Sequence, residues 1–461
     1  MDITAKLWSY CHILRHDGVD YVDYIEQLTY LLFLKMADEN GINVPKTCQW
    51  QSLLVRSGNE LKDHYEFVLQ RLKKEKGILG EVFQEPISKI KNPDSLKKII
   101  EGIESVGWTK LNKDVQGEAF EGLLEKTANE GKKGAGQFFT PRPLIQAIVN
   151  VMKPNPLEEK EFRIGDTACG TGGFLTVAVD WAKHNISISE WNKLRNNSYY
   201  GQELVVRPYR LALMNLFLHG VQANLTLGDS IYTTDIEKEA LNCILTNPPF
   251  GTRGASGPPK QRKFSIETSN IQLNFVQHIY EVLKSNGRAA IVLPDGALMD
   301  AKAKEIWQFL IEKGLCNIHT ILRLPKGTFA PYATGIKASV IFLHKGQATK
   351  HTWVYDARTS FPDVTKSTRP LNYEKHFEDF VKCYGKDPNG NSKRTASDKF
   401  ERYSLDQIRK RNFDLSFNKL YQPQKLEDPV VYIDDLIENF KQQLNDLQKL
   451  KKIINPNKKS I

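Results

Sequence analysis

Cysteine is sparse in this 461-residue chain: six residues, Cys11, Cys48, Cys169, Cys243, Cys316 and Cys383, with no C-x-x-C pair among them. The ten histidines are scattered as widely. Neither a disulfide framework nor a zinc site is indicated, and no metal is expected. The sequence also lacks any uncharged apolar run near the ~18 residues that a membrane-spanning helix needs, so no membrane partner is expected. The opening stretch MDITAKLWSYCHILRHDGVD has no continuous apolar core and no small-residue cleavage site. A cytoplasmic location is therefore expected. Internal repeats and low-complexity tracts are absent.

What is present is the composition of an ordinary globular protein, 40% apolar and 26% charged. The length suits two or three domains with a large core, which excludes a stapled miniprotein. The net charge of +10 favours an acidic partner. Two clusters concentrate it. GTRGASGPPKQRKF (251–264) carries Arg253, Lys260, Arg262 and Lys263 without an acid, and KLKKIINPNKKSI (449–461) carries five lysines without one. The first is a candidate nucleic-acid-contacting loop, with a solvated loop as the plainer reading; the second reads as a basic or frayed tail.

The first 125 residues read as helical. Ile25, Leu28, Leu32 and Met36 recur at spacings of three and four, and Gly41 can end that helix. From about 160, short apolar runs alternate with helical patterns. FRIGDTA, NSYYGQEL, NLTLGDS, NCILTN, GRAAIVLP, HTILRLP and ASVIFLH are seven strand candidates, and HTWVYDART is a further possible one. In NIQLNFVQHIYEVLKSNGR, Ile271, Phe275, Ile279 and Leu283 fall four apart, with Gly287 as the expected stop. Alternating strands and helices predict a doubly wound α/β sheet behind an all-helical N-terminal domain. KDPNGNSKRTASD reads as a surface loop. At the end, Ile433, Ile437, Phe440, Leu444, Leu447 and Ile454 keep a four-three alternation broken only by Lys451. That pattern suits a helix that packs on its own domain or docks on a partner. The resulting division is 1–125 helical, 126–425 catalytic, and 426–461 a docking helix with a basic tail.

Ligands of open α/β sheets bind at the carboxyl ends of the strands. RIGDTACGTGGFL places Asp166 and the turn Gly170, Thr171, Gly172, Gly173 at such an end, where glycines allow close backbone approach. The spacing is not G-x-G-x-x-G, and a glycine turn alone can be no more than a tight turn. Glu203 ends the second strand candidate, a place suited to ribose hydroxyls, and Asp229 ends the third, where it could accept from an adenine amino group. Either acid alone could equally be a helix cap. Three acids at three consecutive strand ends suggest an adenosine-containing cofactor.

The fourth strand candidate ends in Asn247-Pro248-Pro249-Phe250. Prolines end strands and asparagine starts turns, but neither explains the aromatic. The exocyclic amine of a base is a poor nucleophile, because its lone pair is delocalised into the ring. Two acceptors, the Asn247 side-chain oxygen and the Pro248 carbonyl, could each take one N–H and free that lone pair to attack a sulfonium methyl in line. Proline rigidity holds the acceptors in place, and Phe250 would stack on the base. Cys169, inside the glycine turn, reads as a small packing residue rather than a nucleophile.

These stretches, with GQFFTPRPLIQAIV (136–149), YYGQELVVRPYRLALMNLFLHG (199–220), LGDS (227–230), GRAAIVLPDGAL and LPKGTFAPYATGIKASVIFL, resemble the modification (M) subunits of type I restriction-modification systems. Those are amino-methylating, S-adenosylmethionine-dependent DNA methyltransferases. LWSYCHILRHDGVDYVDYIEQLTYLLFLKMADE resembles the helical N-terminal domain of that family. The resemblance implies a seven-stranded sheet whose last strand is antiparallel, and N6-adenine methylation of double-stranded DNA. It also implies a target chosen by a separate specificity (S) subunit, two M subunits per S, and a possible restriction (R) subunit. It places Gln137, Phe138, Phe139, Thr140, Pro141 and Arg142 with Asp166 and the turn Gly170–Gly173 around the methionine end of S-adenosylmethionine, Glu203 on the ribose and Asp229 on the adenine. It makes Asn247, Pro248, Pro249 and Phe250 catalytic. The 36 residues between Asp166 and Glu203 (167–202) exceed the usual ~20, so WAKHNISISEWNKLRNN is expected as extra helical material. The other readings are a free-standing enzyme methylating RNA or a protein glutamine, and a non-catalytic DNA-binding scaffold.

Overall fold

The computed structural model describes residues 3–20, 23–108, 111, 113–130, 140–232, 236–251, 259, 264–330, 335–358, 363–365, 369–418 and 444. The chain divides into two units, Met1–Ser416 and Phe417–Ile461. The architecture below is that of the first. The heptad-like segment lies outside the described residues, apart from Leu444.

The seven strand candidates form β1 (Ile164–Asp166), β2 (Tyr199–Glu203), β3 (Asn224–Leu227), β4 (Leu241–Thr246), β5 (Leu283–Pro294), β6 (Cys316–Arg323) and β7 (Ala338–Lys345). Two more follow, β8 (His351–Asp356) and β9 (Phe400–Ser404), giving the order β3-β2-β1-β4-β5-β7-β6-β8-β9. The first five strands in space run parallel, and β7 is inserted antiparallel between β5 and β6. The chain reverses its direction of travel across the sheet between β1 and β4, the switch point where a doubly wound sheet opens a crevice. The expected sheet of seven is thus extended to nine. β8 pairs parallel to β6, covering what would be an open edge, and β9 closes on β8 antiparallel.

Helices follow the apolar periods. In Tyr24–Glu39 the expected stripe is buried, but so are Leu31, Phe33, Leu34 and Ala37. That helix is surrounded on most sides rather than lying on a surface. It ends as expected, with Gly41 at φ 71°. Ile271–Val282 is capped by Asn270, whose side chain accepts from the N–H of Gln272 and Leu273. The left-handed residue after it is Asn286 (φ 62°), not Gly287. Gly287 is needed for space, since a Cβ there would meet Leu283 at 2.8 Å. The extra material before β2 forms a short helix, Ile188–Leu194, closed by a Ser187/Glu190 capping box.

The N-terminal helices do not form a separate core. Leu7, Leu28, Phe33 and Leu61 belong to one buried cluster with Tyr209, Leu213, Met214 and Leu218 of the helix Val206–Leu218. Position 125, the expected domain boundary, falls inside the helix Lys113–Glu130. Among the described residues, no helix is long and apolar enough to cross a membrane.

Candidate functional site

β1 ends at Asp166, which is 1% exposed. Its Oδ1 accepts from the Thr246 hydroxyl at 2.6 Å and from the Ala168 N–H at 3.1 Å. Burial, helped by the nearby Glu203 charge, pushes its carboxyl up to about 7 against the pull of those donors. The glycine turn follows. Gly170 (φ 54°) and Gly172 (φ 82°) occupy left-handed conformations that side chains resist. A Cβ on Gly170 would face open space, whereas one on Gly172 would press on Ala212 at 3.3 Å. The first glycine serves the turn, the second both the turn and the packing of Gly173–Asn185 on the neighbouring helix.

Glu203 ends β2 and closes on the turn. Its Oε2 accepts the Gly170 N–H at 3.0 Å, and its Oε1 the Val205 N–H at 2.9 Å. Burial pushes this carboxyl up as well, against its backbone donors. A carboxylate has about four lone-pair sites, so capacity remains for two hydroxyls. Asp229, two residues past β3, spends Oδ1 on the N–H groups of Ile231 and Tyr232 at 2.8 and 2.9 Å. It therefore holds its own turn as well as standing at the strand end. Ser230 ties that turn to β1 by donating to the Thr167 carbonyl at 2.6 Å. Cys169 is buried in the turn, its thiol pushed well above the ordinary range by burial and then by the Asp166 and Glu203 charges. That matches a packing role.

β4 lies beside β1, and Asn247 stands one residue past its end. The Asn247 Nδ2 donates to the Thr140 hydroxyl at 2.9 Å. Its Oδ1 is buried and has no hydrogen-bond partner among the described residues. An unpaired buried acceptor costs about 1–3 kcal/mol and suits a site completed by a donor. Pro248 is buried and Pro249 exposed. The Phe250 ring stands edge-on to Phe329, centroids 5.1 Å apart at 89°.

The structure thus gathers Thr140, Asp166, the glycine turn, Glu203, Asp229 and Asn247 around the switch point. Arg142 lines a cavity with Thr140, Thr171 and Gly173. The Arg142 guanidinium pairs with Glu121 of the helix Lys113–Glu130 and, at 3.2 Å, with Asp180 of Gly173–Asn185. Gln137, Phe138, Phe139, Arg253, Lys260, Arg262 and Lys263 lie outside the described residues. Three contributors escaped the sequence reading: Thr246, which holds Asp166; Phe329, which borders Phe250; and Asn215. The buried Asn215 donates from Nδ2 to the Thr171 carbonyl at 3.2 Å, pinning the turn from the helix behind it. All three lie in or beside the quoted motifs, but their partners are set by folding rather than by spacing.

An adenosine-bearing cofactor fits these residues: an open glycine cradle, a carboxylate with spare acceptor capacity, and an acceptor waiting beside them. Comparisons with known proteins agree. The N-6 DNA Methylase family model matches residues 111–429, and the HsdM N-terminal domain model matches 3–103. The type I restriction enzyme StySPI methylase subunit of Salmonella potsdam is 40% identical over 432 residues, covering 86% of this chain and 78% of that one. The EcoKI methylase subunit of Escherichia coli K12 is 39% identical over the same length and coverage. Among solved structures, a chain from a study of complex assembly and conformational transition in the type I R-M system superposes with TM-score 0.77, at 26% identity over 99% of both chains. The crystal structure of the EcoKI M protein gives 0.55, at 30% identity over 98% of this chain and 96% of that one. This chain therefore belongs to the N-6 DNA methylase family, as a methylase subunit of the type I restriction class, an adenine-specific DNA methyltransferase.

Proposed function

We propose that the crevice at the β1/β4 switch point binds S-adenosylmethionine and that Asn247 presents the target adenine to it. The observation that carries this reading is the buried, unpaired Oδ1 of Asn247, beside a turn and acids suited to an adenosine. S-adenosylmethionine supplies, when bound, an electrophilic methyl group. The chain's own residues do the rest. Asn247 Oδ1 and the Pro248 carbonyl accept the two N–H bonds of the adenine amino group, which draws its nitrogen toward a tetrahedral geometry with an exposed lone pair. Phe250, backed edge-on by Phe329, offers a ring face to the flipped base; such stacking is worth about 1–3 kcal/mol. Glu203 takes the ribose hydroxyls, Asp229 the adenine of the cofactor, and Asp166 with Thr140, Pro141 and the turn its methionine end. Gln137, Phe138 and Phe139 belong to the same segment by family resemblance.

Double-stranded DNA is the substrate in this reading. Arg253, Lys260, Arg262 and Lys263 contact its phosphates, and the 433–454 segment docks on a specificity subunit in a complex of two M per S, which a restriction subunit can join. The divisions 1–125, 126–425 and 426–461 describe this work as support, catalysis and docking. The match of both family models along one chain favours this reading over a free-standing enzyme or a scaffold. The test is to assemble the chain with its specificity subunit, labelled cofactor and genomic DNA, and to identify the product by mass spectrometry. N6-methyladenine is expected; a methylated cytosine, or label in RNA alone, overturns the reading.

A pH dependence follows from Asp166. Its carboxyl, raised to about 7, is half-protonated near neutrality. An ammonium group arriving beside it selects the ionised form, so cofactor binding releases a proton. Affinity should weaken about tenfold between pH 8 and pH 6, since one proton must then be expelled. Calorimetry in buffers of different ionisation enthalpy reads that proton directly, and Asp166→Asn should abolish it. For the fold without cofactor the sign is opposite. A raised carboxyl adds stability that is complete below about 3.8 and is lost as pH rises through about 7.

A further inference from the structure

Thr140 lies 107 positions before Asn247, just ahead of the helix Arg142–Met152, yet its hydroxyl is the hydrogen-bond partner of the Asn247 amide nitrogen at 2.9 Å. We propose that Thr140 is a positioning residue for methyl transfer: its hydroxyl anchors the Asn247 amide by the nitrogen and leaves Oδ1 as the acceptor aimed at the substrate amino group. The inference rests on the reading of Asn247 as the residue that receives that amino group.

A side-chain amide is nearly symmetric in shape but opposite in hydrogen bonding at its two ends. Turned by half a rotation, Asn247 would direct N–H groups at the N–H groups of the substrate, and the lone pair would not be freed. The orientation in the structure has Nδ2 bonded and Oδ1 buried without a partner among the described residues. A hydroxyl can donate as well as accept, so Thr140 fixes the end of the amide it touches while the two donors of the substrate favour the orientation that meets them with Oδ1; taking away the threonine oxygen removes that anchor and leaves the amide free to turn.

Thr140 is itself firmly held. It precedes Pro141, which confines its backbone to extended conformations, and its branched Cβ restricts the hydroxyl to few directions. Pro141 caps the helix Arg142–Met152, its carbonyl accepting from the N–H of Leu144 and Ile145 at 3.0 and 3.1 Å. Arg142 then ties that helix start to Glu121 and Asp180, and Asp180 lies on the helix that begins at the glycine turn. The Arg142 pairs thus seat the anchor of the catalytic amide against the same helix that carries the cofactor turn.

The test uses the full chain assembled with its specificity subunit, and measures kcat, KM for DNA and the Kd of S-adenosylmethionine by calorimetry. Thr140→Val keeps shape and removes the acceptor; at saturating S-adenosylmethionine kcat should fall about 10- to 100-fold, as for a lost orienting contact, with KM for DNA within about threefold of wild type and any rise in cofactor Kd smaller than the fall in kcat. Thr140→Ala should behave alike, and Thr140→Ser, which restores the hydroxyl, should recover kcat to within about threefold. Wild-type kcat in Thr140→Val overturns the proposal. So does a rise in cofactor Kd that matches the loss in kcat/KM, which would make Thr140 a cofactor contact only. A serine variant as impaired as valine would make it a packing residue. Asn247→Ala separates the two levels. If it transfers methyl groups at the wild-type rate, the catalytic reading itself fails; if it is inactive while Thr140→Val is normal, only the positioning role fails.

Discussion

Asn247→Ala is expected to abolish methyl transfer, lowering kcat by about 10²–10³-fold or more, while the affinity for S-adenosylmethionine stays within about threefold. The magnitude is that of removing one preorganised group aimed at charge that develops only in the transition state. The structure supports such preorganisation: Oδ1 is buried and unpaired among the described residues, and its amide is held through Nδ2 by Thr140. The selectivity of the effect follows from the sheet. Asn247 follows β4, whereas the glycine turn follows β1 and is joined through Gly170 to Glu203 at the end of β2; Asp166 is held by the Thr246 hydroxyl and the Ala168 N–H, both of which the substitution leaves in place. Phe250→Ala should lose less, about the 1–3 kcal/mol of one base stack. Labelled methyl transfer to DNA by the assembled complex, with calorimetric cofactor binding alongside, makes the measurement. Transfer by Asn247→Ala at the wild-type rate would refute the assignment.

The second large effect concerns stability. Arg210, 1% exposed, leaves the helix Val206–Leu218 and enters the N-terminal helices. Its Nε donates to the Val82 carbonyl at 2.7 Å, its other nitrogens to Glu26 and the Gln84 carbonyl, and its guanidinium lies 4.8 Å from the Tyr30 ring centroid. Arg210→Ala would strand two carbonyls and part of a carboxylate in a dry interior. Breaking a buried pair from one side costs about 3–5 kcal/mol. The lower end applies here, because Arg207 also reaches Glu26, at 3.2 Å, and Asp23, at 2.5 Å. Arg210→Lys should rescue little, since one ammonium cannot reproduce three directed donors. A shift in the urea midpoint worth less than about 1 kcal/mol would show that the contact is dispensable.

Much of the scaffold was legible before any coordinates. Eight of nine strands are readable, β8 as a further possible one, because buried strands are short apolar runs bounded by turn residues. The glycine turn is readable because left-handed positions such as Gly170 and Gly172 demand glycine. β9 is not. FERYS alternates buried and exposed positions at a sheet edge, and its strand character comes from pairing with β8. Gly287 was read as a helix stop, yet Asn286 takes the left-handed turn, because asparagine tolerates that conformation and Gly287 is wanted for its lack of a Cβ.

The site divides along the same line. Asp166, Glu203 and Asn247 could be named from the sequence because each stands in a local pattern, an acid or amide at the end of an apolar run. Their couplings could not: Thr246 to Asp166, Glu203 to Gly170, Asn215 to Thr171 and Thr140 to Asn247 join residues 33 to 107 positions apart. Arg142 shows the difference most plainly. Its place in GQFFTPR suggests a cofactor contact, but not the pairing with Glu121 and Asp180, which helix packing brings beside it. The sequence by itself determined all strands but β9, the order of the motifs and the candidate site residues, because periodicity and turn chemistry act over a few residues. Only the tertiary structure decided which side chain holds which, because hydrogen bonds and ion pairs depend on directions that arise once helices and strands have packed.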